Sequence, residues 1–89
     1  MTCSFHLNMI LPGRIVYDKK ILSLVVPAEL GYLGVLAHHA PIIARLVPGK
    51  ITLRSDEDAM VDFILTGNGL LEFSDNRATL LVDSLELPA

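Results

Sequence analysis

Three groups of residues in this chain are of the types that do chemistry. The first is the adjacent pair His38-His39. Imidazole nitrogens bind zinc and move protons near neutral pH. Adjacent residues on a strand or loop point in different directions, however, and no cysteine or second carboxylate lies at ligand spacing, so no metal site is expected. His6 stands alone and reads as structural. The second group, Asp56-Glu57-Asp58 with Asp62, could offer oxygens to calcium. It lacks the alternating oxygen ligands and the glycine of a calcium loop, and reads as a solvated hairpin tip. The third is Gly31-Tyr32-Leu33-Gly34, with Glu29 beside it and Glu72 near a second glycine-rich turn. A phosphate cradle needs a following helix or a P-loop lysine, and neither is present. No nucleophile, base and orienter come together in sequence. The expectation is a chain with no catalytic site and no cofactor, whose glycines let another chain's backbone approach closely.

The elements that position these residues follow a period of two. From Ser4 to Leu11, Phe5, Leu7, Met9 and Leu11 fall on one side and Ser4, His6 and Asn8 on the other, the alternation of a half-buried strand. Pro12-Gly13 is a tight turn. Arg14–Tyr17 and Ile21–Val26 read as two strands separated by the charged break Asp18-Lys19-Lys20, the second closed by Pro27, which cannot donate to a ladder. Ile42–Val47 is a further strand, apolar on both faces. Pro48-Gly49 turns into Lys50–Arg54, where Ile51 and Leu53 face inward. After the acidic tip come Met60–Leu65, the turn Thr66-Gly67-Asn68-Gly69, Leu70–Phe73, the turn Ser74–Arg77 and Ala78–Val82. Asn68-Gly69 is the sequence of a type I′ hairpin, whose two central residues need positive φ. Apolar residues nowhere recur at helical spacing over ten positions. Seven to ten short strands with turns every eight to twelve residues predict one all-β sandwich domain over residues 1–89 with very little helix.

Composition narrows the function. The hydrophobic fraction of 52% lies above the roughly 45–50% of ordinary globular chains, so surface beyond a minimal core is expected to be covered by a partner. The strands with two apolar faces, Ile21–Val26 and Ile42–Val47, carry that surplus. No apolar run reaches the roughly 18 residues that cross a bilayer, and no basic residue precedes the first apolar positions as in a signal peptide. A cytosolic protein without direct bilayer insertion is expected. A net charge of −3 with scattered lysines and arginines argues against nucleic acid. The single Cys3 has no internal partner, which suits a reducing compartment.

The order and spacing of several motifs resemble one family over nearly the whole chain. Pro27-Ala28, Gly31, Leu33-Gly34-Val35-Leu36, His39-Ala40-Pro41 and Pro48-Gly49 fall in register with the signature of the epsilon subunit of F-type rotary ATP synthases. Phe5-His6-Leu7-Asn8, Gly67–Phe73 and Ala78–Ser84 match its opening, its glycine-rich turn and its last strand. The resemblance implies a sandwich of two roughly five-stranded antiparallel sheets at the foot of the central stalk. It further implies a non-catalytic rotor subunit that binds the gamma subunit and the polar loops of the c-ring, helping couple proton transport to ATP synthesis. Its implied place is peripheral, at the cytoplasmic face of the bacterial inner membrane.

Three departures qualify the likeness. Tyr32 stands where the family usually carries Glu, and Asn68 where it carries Gly. The chain ends at Leu85-Glu86-Leu87-Pro88-Ala89, where the family's helical hairpin would begin. That hairpin carries the inhibition of ATP hydrolysis in many relatives and ATP binding in some, so neither is expected here. The residues the resemblance places at partners are Gly31, Tyr32, Leu33 and His38 near the ring or gamma. His39, Ala40, Pro41 and Ile43 are placed at gamma, and Glu72 is a further candidate for a partner contact. The rival reading is a free-standing small β-barrel that binds an oligonucleotide or small ligand. It would need aromatics interleaved with basic residues on the surface, and the five aromatics fall mostly at inward positions.

Overall fold

The computed structural model describes residues 3–86, all strands and turns without helix. The expectation attached to the ending at 87–89 lies outside the described residues. Nine strands run in the order β1 (Phe5–Leu11), β2 (Arg14–Ala28), β3 (Gly31–Leu36), β4 (Ile42–Leu46), β5 (Gly49–Ser55), β6 (Met60–Leu65), β7 (Gly69–Ser74), β8 (Arg77–Val82) and β9 (Leu85–Glu86).

They build two five-stranded layers that share β2. In sheet I the order is β3, the C-terminal half of β2, β5, β6, β9. In sheet II it is the N-terminal half of β2, β1, β8, β7, β4. The two inner faces enclose one core in which Leu7, Met9, Ile21, Leu24, Leu46, Ile51, Leu53, Leu71 and Leu80 lose all contact with water. The sandwich and its alternation are those expected. One pairing, β1 with β8, runs parallel (His6 opposite Arg77 to Ile10 opposite Leu81), and the period-two pattern carries no information about strand direction.

Two strand boundaries differ from expectation. Asp18-Lys19-Lys20 is not a break, because β2 continues through it opposite Asn8, Leu7 and His6. Here β2 is the outer strand of sheet II, so its charged side chains reach water. Lys19, on the core side opposite Leu7 but exposed, is the kind of inward-pointing charge that guards an edge. Nor does Pro27 end β2. It pairs with Tyr32 where the ladder to β5 has already stopped at Val25–Thr52, so its missing N–H deprives no partner. A bulge between Ile21 and Ser23 bends β2 from one layer into the other, as corner strands do. That is why this stretch is apolar on both faces.

The turns also sort differently. Pro12-Gly13 is the expected tight turn, with Gly13 at φ 78° and Leu11 opposite Arg14. Asn68-Gly69 is not a type I′ hairpin: neither residue has positive φ, and β6 and β7 lie in different sheets. Gly69 is required for space, since a Cβ there would lie 2.8 Å from the Leu81 carbonyl oxygen. The type I′ turn is Asp75-Asn76, at φ 49° and 58°, between the paired residues Ser74 and Arg77.

Candidate functional site

The residues singled out from the sequence fall in three places. The first is the hairpin joining β2 to β3. A two-residue turn, Glu29-Leu30, is followed by Gly31 at φ 127°, a conformation natural to glycine. Leu30 projects from the tip and is 99% exposed. The segment after it was expected only as a glycine-rich signature, yet it is a strand. Leu33 and Val35 turn toward the core while Tyr32, Gly34 and Leu36 face out. Tyr32 crosses over Pro27, and its phenol oxygen accepts the Lys50 N–H at 3.3 Å. Gly49 makes room for this bridge, because a Cβ there would meet Pro27 at 2.7 Å and the Tyr32 hydroxyl at 3.1 Å. Tyr32 nevertheless remains 64% exposed, an aromatic with a fixed end and a free face.

The second place is the loop from Ala37 to Pro41, at the other end of β3. Its N-terminal half is a turn in which the His39 N–H donates to the Leu36 carbonyl and His38 has φ 64°. The His38 N–H donates to the Asn76 side-chain oxygen at 2.7 Å. His39 donates from Nδ1 to the Ala40 carbonyl at 2.7 Å, since a carbonyl only accepts. Its ring and that of Phe73 form a T-shaped pair, 5.8 Å between centroids. The two imidazoles therefore have separate duties. Among the described residues no three His, Cys, Asp or Glu side chains gather as a metal site requires.

The third place is the outer face of sheet II. Ile43, 69% exposed, stands opposite Glu72, which stands opposite Thr79, itself opposite Asn8. One step along the strands, Arg45, Leu70, Leu81, Ile10 and Ile15 form a continuous cross-strand row over all five strands. Ile15, Leu70 and Leu81 are all exposed. The sequence reading placed the surplus apolar surface on Ile21–Val26 and Ile42–Val47 and missed this row. Its signal was present: Ile10, Leu70 and Leu81 are apolar at the polar-phase positions of otherwise alternating strands.

Gly31, Tyr32 and Leu33 thus lie apart from His38, His39, Ala40 and Pro41. Five strand steps of about 3.3 Å each put the two ends of β3 roughly 17 Å apart. Ile43 and Glu72 are brought together, on a different sheet. A concavity of about 780 Å³ is an open groove beside the apolar row, lined by Pro12, Gly13, Arg45, Leu70 and Leu81 among others. Glu29 and Arg45 approach to 4.0 Å at its rim with both side chains largely in water, a pair that contributes little. This surface can pack and hydrogen-bond a partner; it does not assemble a nucleophile, a base and an orienting group.

Comparison with known proteins agrees with the architecture. Residues 4–88 match the family model described as the β-sandwich domain of the ATP synthase delta/epsilon chain. The chain is 37% identical over 92% of its length to the ATP synthase epsilon chain of Protochlamydia amoebophila, covering 55% of that protein. It is 40% identical over 89% of its length to that of Latilactobacillus sakei, covering 55% of it. With that of Nitrosococcus oceani it shares 32% identity over its full length and 63% of the relative's. The chain spans between about half and two thirds of these relatives. Among solved structures, a chain of the Euglena gracilis mitochondrial ATP synthase (OSCP/F1/c-ring) superposes with TM-score 0.89 at 14% identity, over 96% of this chain and 54% of that one. A chain of the Tetrahymena thermophila mitochondrial ATP synthase central stalk and c-ring gives 0.75 at 16%, over 91% and 64%. At those identities the likeness is one of fold.

Proposed function

The chain belongs to the family of ATP synthase delta/epsilon-chain β-sandwich domains, and from that premise we propose that it is a non-catalytic rotor subunit holding the gamma subunit and the c-ring together. The observation that supports this reading is the pair of separated apolar exposures on one small sandwich. One is the hairpin tip of Leu30, Gly31 and Tyr32; the other is the outer face of sheet II with Ile43, Leu70 and Leu81. In this reading the tip, with Leu33 behind it, meets the polar loops of the ring. The outer face, with Glu72 and the loop His38–Pro41, meets gamma. Tyr32 replaces a charge with an aromatic face and a hydroxyl, which suits a ring loop of altered polarity. The protein then works at the cytoplasmic face of a bacterial inner membrane, held there by its partners.

Capture of gamma and proton pumping by the reconstituted complex test the proposal. Ile43→Asp buries a carboxylate in the gamma contact and should lower capture of gamma by about tenfold or more, the effect of a central interface residue. Tyr32→Asp should leave gamma bound while lowering ATP-driven proton pumping in vesicles. A wild-type chain that captures no gamma, or a Tyr32→Asp complex that pumps normally, would sink the reading.

A further inference from the structure

Asn76 joins three segments that are remote in sequence. Its side-chain oxygen accepts the His38 N–H at 2.7 Å. Its side-chain nitrogen donates to the Ser4 carbonyl at 2.9 Å. Its own carbonyl accepts the His6 N–H at 3.3 Å. The orientation of the amide is set by these partners, since a backbone N–H can meet only the oxygen and a carbonyl only the nitrogen. The residue can stand here because it is the second central residue of the type I′ turn, with φ 58°, a conformation asparagine tolerates far better than most side chains.

The bond to His38 has a conformational consequence. Leu36–His39 is a four-residue turn closed by His39 N–H to Leu36 carbonyl at 3.2 Å. Ala37 has negative φ and His38 has φ 64°, the combination of a type II turn. That type calls for glycine or asparagine where this chain carries histidine. The alternative, type I, differs by a flip of the Ala37–His38 peptide and would suit histidine without strain. In the type II form the N–H of that peptide takes no part in the turn's own hydrogen bond and points outward. Here it finds the Asn76 oxygen.

We propose that Asn76 is the positioning residue of the 37–41 loop: by accepting the His38 N–H it selects the type II form, fixing the directions of the Ala37 carbonyl and the His38 ring. His39, packed on Phe73, anchors the loop from its other side. The selected form is the one presented to a partner, and only this last step rests on the gamma-binding reading above.

Nuclear magnetic resonance of the chain itself tests the proposal. A type II turn gives a strong Overhauser effect between Ala37 Hα and the His38 N–H, and a type I turn a weak one. Asn76→Gly keeps the positive φ of the β7–β8 turn and removes both side-chain bonds. It should weaken that signal and speed exchange of the His38 amide about tenfold, the effect of one good hydrogen bond. Asn76→Asp keeps the acceptor for His38 and loses only the donor to Ser4, so it should retain the type II signal. Adding His38→Gly to Asn76→Gly should restore the signal, because glycine takes positive φ freely. An unchanged signal in Asn76→Gly, a lost signal in Asn76→Asp, or no recovery in the double variant overturns the proposal. Gamma capture is measured alongside. If wild type binds no gamma, the functional reading fails while the spectra still decide the role of Asn76. If wild type binds and Asn76→Gly binds as well as it does, the presentation step is overturned.

Discussion

Substituting Gly69 by alanine separates two explanations of the Asn68-Gly69 pair. If the glycine served a type I′ turn, both residues would need positive φ, and Asn68→Ala would be costly because alanine adopts that conformation at roughly 1–2 kcal/mol. Neither residue has positive φ, and the cost should instead come from contact. A Cβ at Gly69 would lie 2.8 Å from the Leu81 oxygen and 3.0 Å from Val82 Cγ1. That oxygen belongs to the backbone of β8, which pairs with β7 through Gly69 opposite Val82 and Leu70 opposite Leu81. Relief requires moving a strand rather than a side chain. Overpacking of this kind costs about 1–3 kcal/mol. An unfolding entropy of about 2.1 cal/mol/K per residue over 89 residues gives about 0.19 kcal/mol/K, so a loss near 2 kcal/mol should lower Tm by roughly 10 °C. Asn68→Ala should stay within about 0.5 kcal/mol, because Asn68 is exposed and its carbonyl still accepts the Asp83 N–H. Thermal and urea unfolding followed by circular dichroism measure both. The reasoning fails if Asn68→Ala costs as much as Gly69→Ala, or if Gly69→Ala is neutral.

Two further outcomes are expected. Burial first, and then the carboxylates of Asp56 and Glu57, push the Tyr17 phenol above its ordinary value of 10.0. The folded state therefore holds this proton more tightly than the unfolded chain. The contribution is intact below about pH 10 and is lost as pH rises through the folded value. The urea midpoint of wild type should accordingly fall more steeply above about pH 10 than that of Tyr17→Phe, which keeps the ring contact with Phe63; parallel profiles would contradict this. Lys19→Val removes the inward charge from the outer strand of sheet II. It should leave the unfolding midpoint nearly unchanged while raising self-association in light scattering, and scattering equal to wild type would show that the edge is guarded otherwise.

What the sequence disclosed depended on whether one strand's own residues carried the information. The alternation of Phe5, Leu7 and Met9, or of Ile51 and Leu53, marks a strand and its buried face because each side chain reports its own surroundings. The continuity of β2 was hidden because Asp18-Lys19-Lys20 reads the same in a loop and on an outer strand; only the neighbour, β1 on one side and water on the other, separates the two. Asn68-Gly69 misled for a related reason. Glycine answers both to positive φ and to a close carbonyl, and the Leu81 oxygen that decides the matter belongs to a strand twelve residues later. The strand at Gly31–Leu36 was masked because Gly34 puts no side chain on its outer face, where a Cβ would meet nothing within 4 Å. In the candidate site, Ile43 was legible within a run apolar on both faces, and Tyr32 only as a departure from the family signature. Asn76 was not, since its role needs Ser4 and His38 brought together across the fold.

The division of the site bears on how a rotor subunit of the proposed kind would transmit force. Partners gripping the Leu30–Tyr32 tip and the outer face of sheet II load the sandwich at separated places, so the load must cross from one layer to the other. Apolar burial between the inner faces resists separation, but that driving force is non-directional. The covalent path is β2, which pairs with β3 beside the tip and with β1 in sheet II. A second link is the stitch of β4 to the end of β2, through Glu29 N–H to the Arg45 carbonyl and Val47 N–H to the Pro27 carbonyl, each 2.9 Å. Ile43 lies on β4, two residues after the His38–Pro41 loop ends. The strand carrying Ile43, proposed to meet gamma, is thereby tied by backbone bonds to the hairpin carrying Leu30 and Tyr32, proposed to meet the ring. Shear between the two contacts is thus opposed by directional hydrogen bonds and a continuous chain rather than by core packing alone.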